Sequence, residues 1–180
     1  MRQFICQIDA GDRITFVDES WVAFAAENGM PWLTVESVKG RSLWHYISDE
    51  TSQQFYKALA AKVRETGRML SVPFRCDGPE VRRFMKMFIL NMGDGALKFQ
   101  SVLLDEQPRP KVELLDANFP RSDEMLTMCA WCKKVNIGRW VEVEEAVREL
   151  WLFERTQLPK ITHGVCPECQ EVFELTLKTA

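Results

Sequence analysis

The chain has 180 residues, of which 46% are hydrophobic and 27% are charged, and its formal net charge at pH 7 is −3. This composition is typical of a globular protein with a buried core, and it excludes disorder along most of the length. Residues 111–180 carry 9 basic and 12 acidic side chains. We therefore expect no nucleic-acid binding, because such binding depends on an excess of basic groups.

Two features of the sequence bear on its compartment. No stretch approaches the roughly 20 consecutive apolar residues of a membrane-spanning helix, and the first residues, MRQFIC, lack the apolar core of a secretory signal. We expect a cytoplasmic protein that does not bind a membrane. In that reducing compartment, paired cysteines hold metal or carry out redox chemistry more often than they form structural disulfides.

The first 67 residues predict a β-hairpin followed by helices. Two short β-prone runs, 4–8 and 13–17, are joined by a turn rich in Asp and Gly. A short helix follows. A longer helix is predicted to start at Ser48 or Asp49 and to end at Gly67, because apolar residues recur within it every four positions.

Three strands are predicted next, over 69–76, 81–91 and 97–104, and they form an antiparallel meander. The middle strand is apolar on both alternating sets, so we expect both of its faces to be covered. The segment 107–110, QPRP, is expected to end the last strand and mark a domain boundary. Four basic residues are expected to form a solvated sheet edge, with anion binding as the alternative: Arg75, Arg82, Arg83 and Lys86.

Two local motifs accompany this order of elements. Residues 9–17, DAGDRITFV, look like an opening hairpin, and residues 38–44, VKGRSLW, look like a glycine-led turn before a long helix. Together with the order of strands and helices, they resemble the PAS sensor domain over about 100 residues. The resemblance implies an α+β fold over residues 1–107, with a five-stranded antiparallel sheet and helices on one face. It also implies a sensing or dimerising role, and we expect a homodimer.

PAS domains enclose a pocket between sheet and helices, so the resemblance implies a site for an unidentified small molecule. The candidate lining residues are Trp44, His45, Tyr46 and Phe55, although large side chains at these positions also fit a plain core. His45 is the candidate axial ligand if the pocket holds haem. The reactive asparagine-cysteine-arginine motif of photoactive flavin-binding members does not occur in this sequence.

Four cysteines carry the strongest signal in the chain. Cys129 with Cys132, and Cys166 with Cys169, form two C-x-x-C units, and two such turns supply the four thiolates that tetrahedral zinc prefers. Four thiolates leave no coordination position for a substrate water, so we expect a structural zinc ion that supports folding of the surrounding segment. His163 is the rival ligand, or a hydrogen-bond donor to one of the four.

The 33 residues between the two units exceed the usual zinc-ribbon spacing of about 15 to 20 residues, so this spacer must contain structure. A helix is predicted over 141–152, with Trp140, Trp151 and Phe153 packed around the site. We assign a linker to 108–124 and a small zinc-binding module to 125–180.

The cysteine-bearing segments also resemble a known kind of module. Residues 129–134, CAWCKK, and 162–169, THGVCPEC, are similar to a cysteine-rich module that follows PAS and related sensor domains in many bacterial signalling proteins. This resemblance implies a bacterial signalling context.

The leading functional hypothesis is a cytoplasmic bacterial signalling protein without enzymatic activity. Its PAS-like domain would sense or dimerise, and its structural zinc module would contact a protein partner. The sequence has no nucleophile elbow and no phosphate-binding loop, so we do not expect an enzyme. The alternative is a thiol redox switch in which oxidation of the C-x-x-C pairs releases zinc.

Overall fold

The N-terminal part of the chain is a five-stranded antiparallel sheet with helices packed on one face. The structure is a computed structural model that describes residues 2–47 and 49–179. Within these ranges, no helix is both long enough and apolar enough to span a bilayer. The elements of this part are β1 (Gln3–Ile8), β2 (Ile14–Val17), α1 (Glu19–Glu27), α2 (Val35–Val38), α3 (Glu50–Thr66), β3 (Leu70–Arg75), β4 (Val81–Gly93) and β5 (Ala96–Pro108).

The strand order in this sheet is β2-β1-β5-β4-β3. The first and last strands of this sheet in chain order, β1 and β5, are therefore neighbours, with Gln3 paired to Val102 and Ile8 paired to Leu97. This arrangement places the opening hairpin beside the closing meander, as the resemblance to PAS domains implies. The predicted α+β, PAS-like fold class is confirmed.

Helix α3 packs its apolar face on the sheet. Leu59 and Val63 are fully buried and belong to the same core as Met87 and Ile89 of β4. The Asp49 carboxylate caps the N-terminus of the helix by accepting a hydrogen bond from the backbone N–H of Ser52. Gly67 ends the helix in a left-handed conformation. The alternative cap, Ser48, lies outside the described residues.

Strand β5 is longer than the sequence predicts, because it continues to Pro108 instead of ending at Leu104. Pro108 pairs with Val81 of β4, whereas β1 reaches only as far as Val102 on the other side of β5. The last residues of β5 thus form a sheet edge, where proline is tolerated because no neighbouring strand needs its missing N–H. The predicted boundary lies at the end of the strand.

The C-terminal module is built on a second sheet, of four strands in the order β8-β7-β6-β9, with β6 and β9 parallel. Its core includes Val112 and Leu114, which lie in the predicted linker. The elements of the module are β6 (Arg121–Cys129), β7 (Val135–Asn136), β8 (Trp140–Val141), α4 (Val143–Glu149), β9 (Leu158–Gly164) and α5 (Pro167–Lys178).

The predicted packing of Trp151 and Phe153 is wrong. Helix α4 ends at Glu149, and Trp151 adopts a left-handed conformation with φ of 52°. This residue turns the chain, so that Leu152 is buried while the side chains of Trp151 and Phe153 are 62% and 54% exposed. The apolar periodicity that predicted a helix over 141–152 carries no signal for the turn at Trp151.

Candidate metal centre

The first cysteine pair lies in a tight turn at the end of β6. The backbone N–H of Cys129 donates to the carbonyl of Lys134 at 2.7 Å, and the N–H of Lys133 donates to the carbonyl of Cys129 at 3.1 Å. Lys133 has a left-handed backbone conformation with φ of 64°. These contacts fold the chain back on itself, so that the side chain of Cys132 returns toward Cys129.

The second pair begins helix α5. Cys166 is the N-cap residue, and Pro167 occupies the first turn, where its missing N–H costs no helical hydrogen bond. Side chains of a helix tilt toward its N-terminus. Cys169, within the first turn, is therefore directed back toward Cys166.

The parallel pairing of β6 and β9 brings the two turns together. Cys129 at the end of β6 is paired with Gly164 at the end of β9, two residues before Cys166. Gly164 permits this approach, since a Cβ there would lie 3.1 Å from the Thr127 side chain. The predicted meeting of the two C-x-x-C units is thus confirmed, and it depends on a strand pairing that neither motif contains.

The four cysteine sulfurs all lie within 4.8 Å of one another, and the Sγ atoms of Cys132 and Cys166 are 3.6 Å apart. Tetrahedral coordination with metal–sulfur bonds of about 2.3 Å places sulfurs about 3.8 Å apart, so the cluster has the dimensions of a metal–thiolate site. The four cysteines are positioned to hold one metal ion.

Hydrogen bonding within the cluster favours a thiolate. The pKa of Cys129 is lowered because its sulfur accepts hydrogen bonds from the thiols of Cys132 and Cys169 and from backbone N–H groups, including that of Cys166. The hydrogen bond to Cys129 in turn raises the pKa of Cys132 to about 12. An ionised sulfur at the centre of the cluster is the form that binds a metal cation.

His163 does not join the cysteine cluster. Its Nδ1 lies 4.0 Å from the Asp49 carboxylate, on the N-terminal domain, and burial lowers its pKa. Of the ligand sets that the sequence left open, the described residues form the one with four cysteines.

Two aromatic side chains connect the cysteine cluster to α3. Trp131, inside the first cysteine turn, stacks on Tyr56 with ring centroids 5.1 Å apart. Phe173, one helical turn after Cys169, meets Phe55 edge-on at 4.2 Å. Phe173 is not among the residues predicted from the sequence, although its four-residue spacing from Cys169 places both on one face of α5.

A network of ion pairs joins the domain to the module close by. The side chain of Asp77 is fully buried between Arg75 and Arg109, and Arg75 also donates to Glu142 of the module at 2.7 Å. The prediction of a solvated edge is wrong for Arg75, which is 7% exposed. Its partner Glu142 is 67 residues away in the chain, so sequence spacing could not reveal it. Six residues form the network: Arg75, Asp77, Arg82, Arg109, Glu142 and Glu144.

The four candidate lining residues of the PAS pocket take different positions. The Trp44 indole N–H donates to Asp12 at 2.6 Å, and Phe55 packs on Phe173. His45 and Tyr46 meet edge-on at 5.4 Å. Of the four, Tyr46 lines a cavity of about 220 Å³ between the domain and the module, and the other three do not.

Comparisons with known proteins find similar structures but no similar sequences. No family model and no curated protein matches the sequence. The PAS domain of BvgS from Bordetella pertussis is 8% identical, with a TM-score of 0.40, over 58% of this chain and 74% of that one. A domain of an HTR-like protein from Haloarcula marismortui is 14% identical, with a TM-score of 0.41, over 58% of this chain and 100% of that one. The strand order of the N-terminal sheet carries the PAS-like assignment.

Proposed function

We propose that the protein is a cytoplasmic, non-enzymatic signalling protein in which a structural zinc ion joins a sensing domain to a partner-binding module. One observation carries this proposal: each C-x-x-C unit is accompanied by an aromatic side chain that packs on α3 of the PAS-like domain, Trp131 within the first unit and Phe173 one helical turn after the second. Zinc suits four thiolates in a tetrahedral arrangement, and such a closed site is typical of structural zinc.

The proposed coupling follows from the continuity of the packing. The Trp131 carbonyl also accepts a hydrogen bond from the backbone N–H of Arg75 at the end of β3. A zinc ion holds the two cysteine turns at a fixed separation, and so it holds Trp131 and Phe173 against α3. Packed interiors resist small displacements, so a change in the domain core that shifts α3 would be transmitted to the module.

Metal content is the first test. Elemental analysis of the purified, reduced protein should give about one zinc ion per chain. Cys132→Ser and Cys166→Ser should lose most of the metal, because each removes a ligand. Cys76→Ser, at a cysteine outside the cluster, should retain it. A metal-free wild-type protein with a folded C-terminal part would refute the proposal, and an absorption spectrum of the same sample would reveal haem or flavin.

The coupling itself is tested by hydrogen exchange. Removing zinc with a chelator should increase amide exchange in residues 50–66 of α3 at least tenfold, because the aromatic contacts loosen. Exchange in β1, which pairs with β2 and β5 away from the module, serves as the internal control. Unchanged exchange in α3 after complete zinc removal would show that the metal does not support the domain.

The alternative, a thiol redox switch, is favoured by one observation. Cys132 and Cys169 are partly exposed, whereas Cys129 and Cys166 are buried, so an oxidant can reach two of the four thiolates. Hydrogen peroxide would take two electrons from this pair, forming one S–S bond and, with two protons, two water molecules, and zinc would leave. One equivalent of peroxide should then release zinc to a colorimetric indicator, reversibly with dithiothreitol. Retention of zinc over an hour would exclude the switch.

We also propose that the chain forms a homodimer through the outer face of β4. Phe88 and Leu90 on that face are half-buried, whereas Met85 and Met87 on the inner face are buried. Light scattering should give about twice the chain mass of 20.9 kDa. Phe88→Glu should give the monomer mass, because a carboxylate is not tolerated in an apolar interface. A monomeric wild-type protein at 50 µM would refute the dimer.

A further inference from the structure

An apolar cleft lies where the module meets the edge of the N-terminal sheet. It has a volume of about 310 Å³ and is separate from the cavity that Tyr46 lines. Strands β3 and β4 form one wall, and α5 and the first cysteine turn form the other. The residues that define it are Val72, Phe74, Phe84, Met85, Trp131 and Val172.

The cleft offers no free positive charge. The cation that lines the cleft is the guanidinium of Arg75. This guanidinium is already paired with the carboxylates of Asp77 and Glu142. Breaking those pairs to bind an anion would leave buried carboxylates without partners, which is costly. An anion therefore does not fit this lining, and because the rest of the lining is mostly apolar, the ligand that fits best is neutral.

The size of the cleft limits the ligand further. Its volume of about 310 Å³ is about twice that of an apolar cavity of roughly 150 Å³ that admits benzene. Small-molecule sites are typically concave, mostly apolar and located at the junction of two units. The cleft meets all three conditions.

Two of the proposed metal ligands, Cys132 and Cys169, also line the cleft. A molecule in the cleft would thus contact the sheet of the domain, helix α5 and the metal centre together. We infer that the cleft binds a neutral, mostly apolar small molecule of about twelve non-hydrogen atoms. The inference adds a class of ligand to the sensing function proposed above. Binding itself does not depend on that function, whereas the signalling consequence of binding rests on it.

The test is a titration of the full-length, zinc-loaded protein with 1-aminonaphthalene, whose fluorescence rises in apolar surroundings. Val172→Trp should weaken binding at least tenfold, because the indole fills the mouth of the cleft, where Val172 is 44% exposed. Leu175→Trp is the matched control, since Leu175 lies on the same helix, is 53% exposed and does not line the cleft. Its affinity should stay within twofold of wild type.

Competition tests the predicted preference for neutral ligands. Decanol should displace the probe at a concentration at least tenfold lower than decanoate, because no cation in the lining is available to the carboxylate. Equal or reversed potency would show that Arg75 leaves its partners, and it would overturn the predicted ligand class.

An NMR label in the cleft tests ligand binding in the wild-type protein, so the test does not depend on the folding of Val172→Trp. In wild-type protein with ¹³C-methyl methionine, the probe should shift the Met85 signal and leave the exposed Met125 signal unchanged. No saturable binding, or saturable binding without a Met85 shift, would refute the ligand site. Zinc content is measured on the same sample, so a failed ligand site with normal zinc leaves the proposed metal coupling standing.

Discussion

The surroundings of each cysteine decide what its sulfur can do. The thiols at the metal centre hydrogen-bond one another, whereas Cys6 lies in β1 and is 6% exposed. Burial, with a further contribution from the negative charge of Asp18, raises the pKa of Cys6 from 9.0 to about 12. Cys6 is thus a small buried hydrophobic residue of the sheet.

The raised pKa of Cys6 predicts a loss of stability in alkali. Cys6 ionises near pH 9 in the unfolded chain but only near pH 12 in the folded one. The contribution of the buried Cys6 thiol to the free energy of unfolding is complete below pH 9. It decreases as pH rises toward 12, by about 1.4 kcal/mol per pH unit. Urea unfolding at pH 8 and pH 10 should show that wild type loses about 1.4 kcal/mol more than Cys6→Ala. Parallel losses in the two proteins would contradict the assignment.

At the scale of elements, the turn between β4 and β5 shows how backbone conformation limits substitution. Gly93, Asp94 and Gly95 all have positive φ angles, of 87°, 50° and 76°. At Gly95, an added Cβ would also lie 2.9 Å from the Cβ of Ala10, in the turn between β1 and β2. Gly95 therefore permits both the turn and the close approach of the two hairpins.

Gly95→Ala should reduce the free energy of unfolding by about 2–4 kcal/mol, from backbone strain and displacement of Ala10 together. Gly67→Ala is the matched control, because its φ is 70° but nothing lies within 4 Å of the added Cβ. It should cost about 1 kcal/mol, from strain alone. Urea denaturation measures both, and equal losses would show that the contact with Ala10 does not matter.

The ion-pair network joins elements distant in sequence, and Asp77 is central to it. Asp77→Asn leaves Arg75 and Arg109 with one charge partner fewer in a buried site, which should cost about 3 kcal/mol. The control is Asp123→Asn, a fully exposed carboxylate paired with Lys160, which should leave the unfolding midpoint unchanged. A small effect of Asp77→Asn would mean that water replaces the lost pairs.

At the scale of the whole molecule, the core of the PAS-like domain continues into the module. Cys129, Trp131, Cys166 and Phe173 belong to the same buried cluster as α3 and the inner face of the sheet. A second core, around Val143 and Leu158, is formed by the module together with Val112 and Leu114 of the preceding segment. The two parts of the chain are consequently joined by packing as well as by the chain itself.

This continuity predicts that the zinc-loaded protein unfolds in one cooperative transition, seen alike by circular dichroism and tryptophan fluorescence. Trp131→Ala should remove about 3–5 kcal/mol of packing and separate the unfolding of the domain from that of the module. Trp32→Ala is the control, because Trp32 is 65% exposed and should leave one transition. Two transitions in the wild-type protein would show that the parts fold independently.

Much of this protein could be predicted from short stretches of sequence. Turn residues, helix caps and apolar spacing each act within a few positions, and they predicted the hairpin, α3 and the meander. The two C-x-x-C units likewise predicted which four cysteines form the cluster, because the turn within each unit is local. The left-handed conformation of Trp151 was not predicted, since non-glycine residues rarely adopt it.

The tertiary structure alone decided how these parts meet. The parallel pairing of β6 and β9 brings the cysteine turns together, and it depends on strands about 30 residues apart. The pairing of Arg75 with Glu142 and the packing of Trp131 on Tyr56 join residues even farther apart along the chain. Local sequence determines which conformation a segment prefers, but its packing partner is set by the burial of apolar and charged groups throughout the molecule.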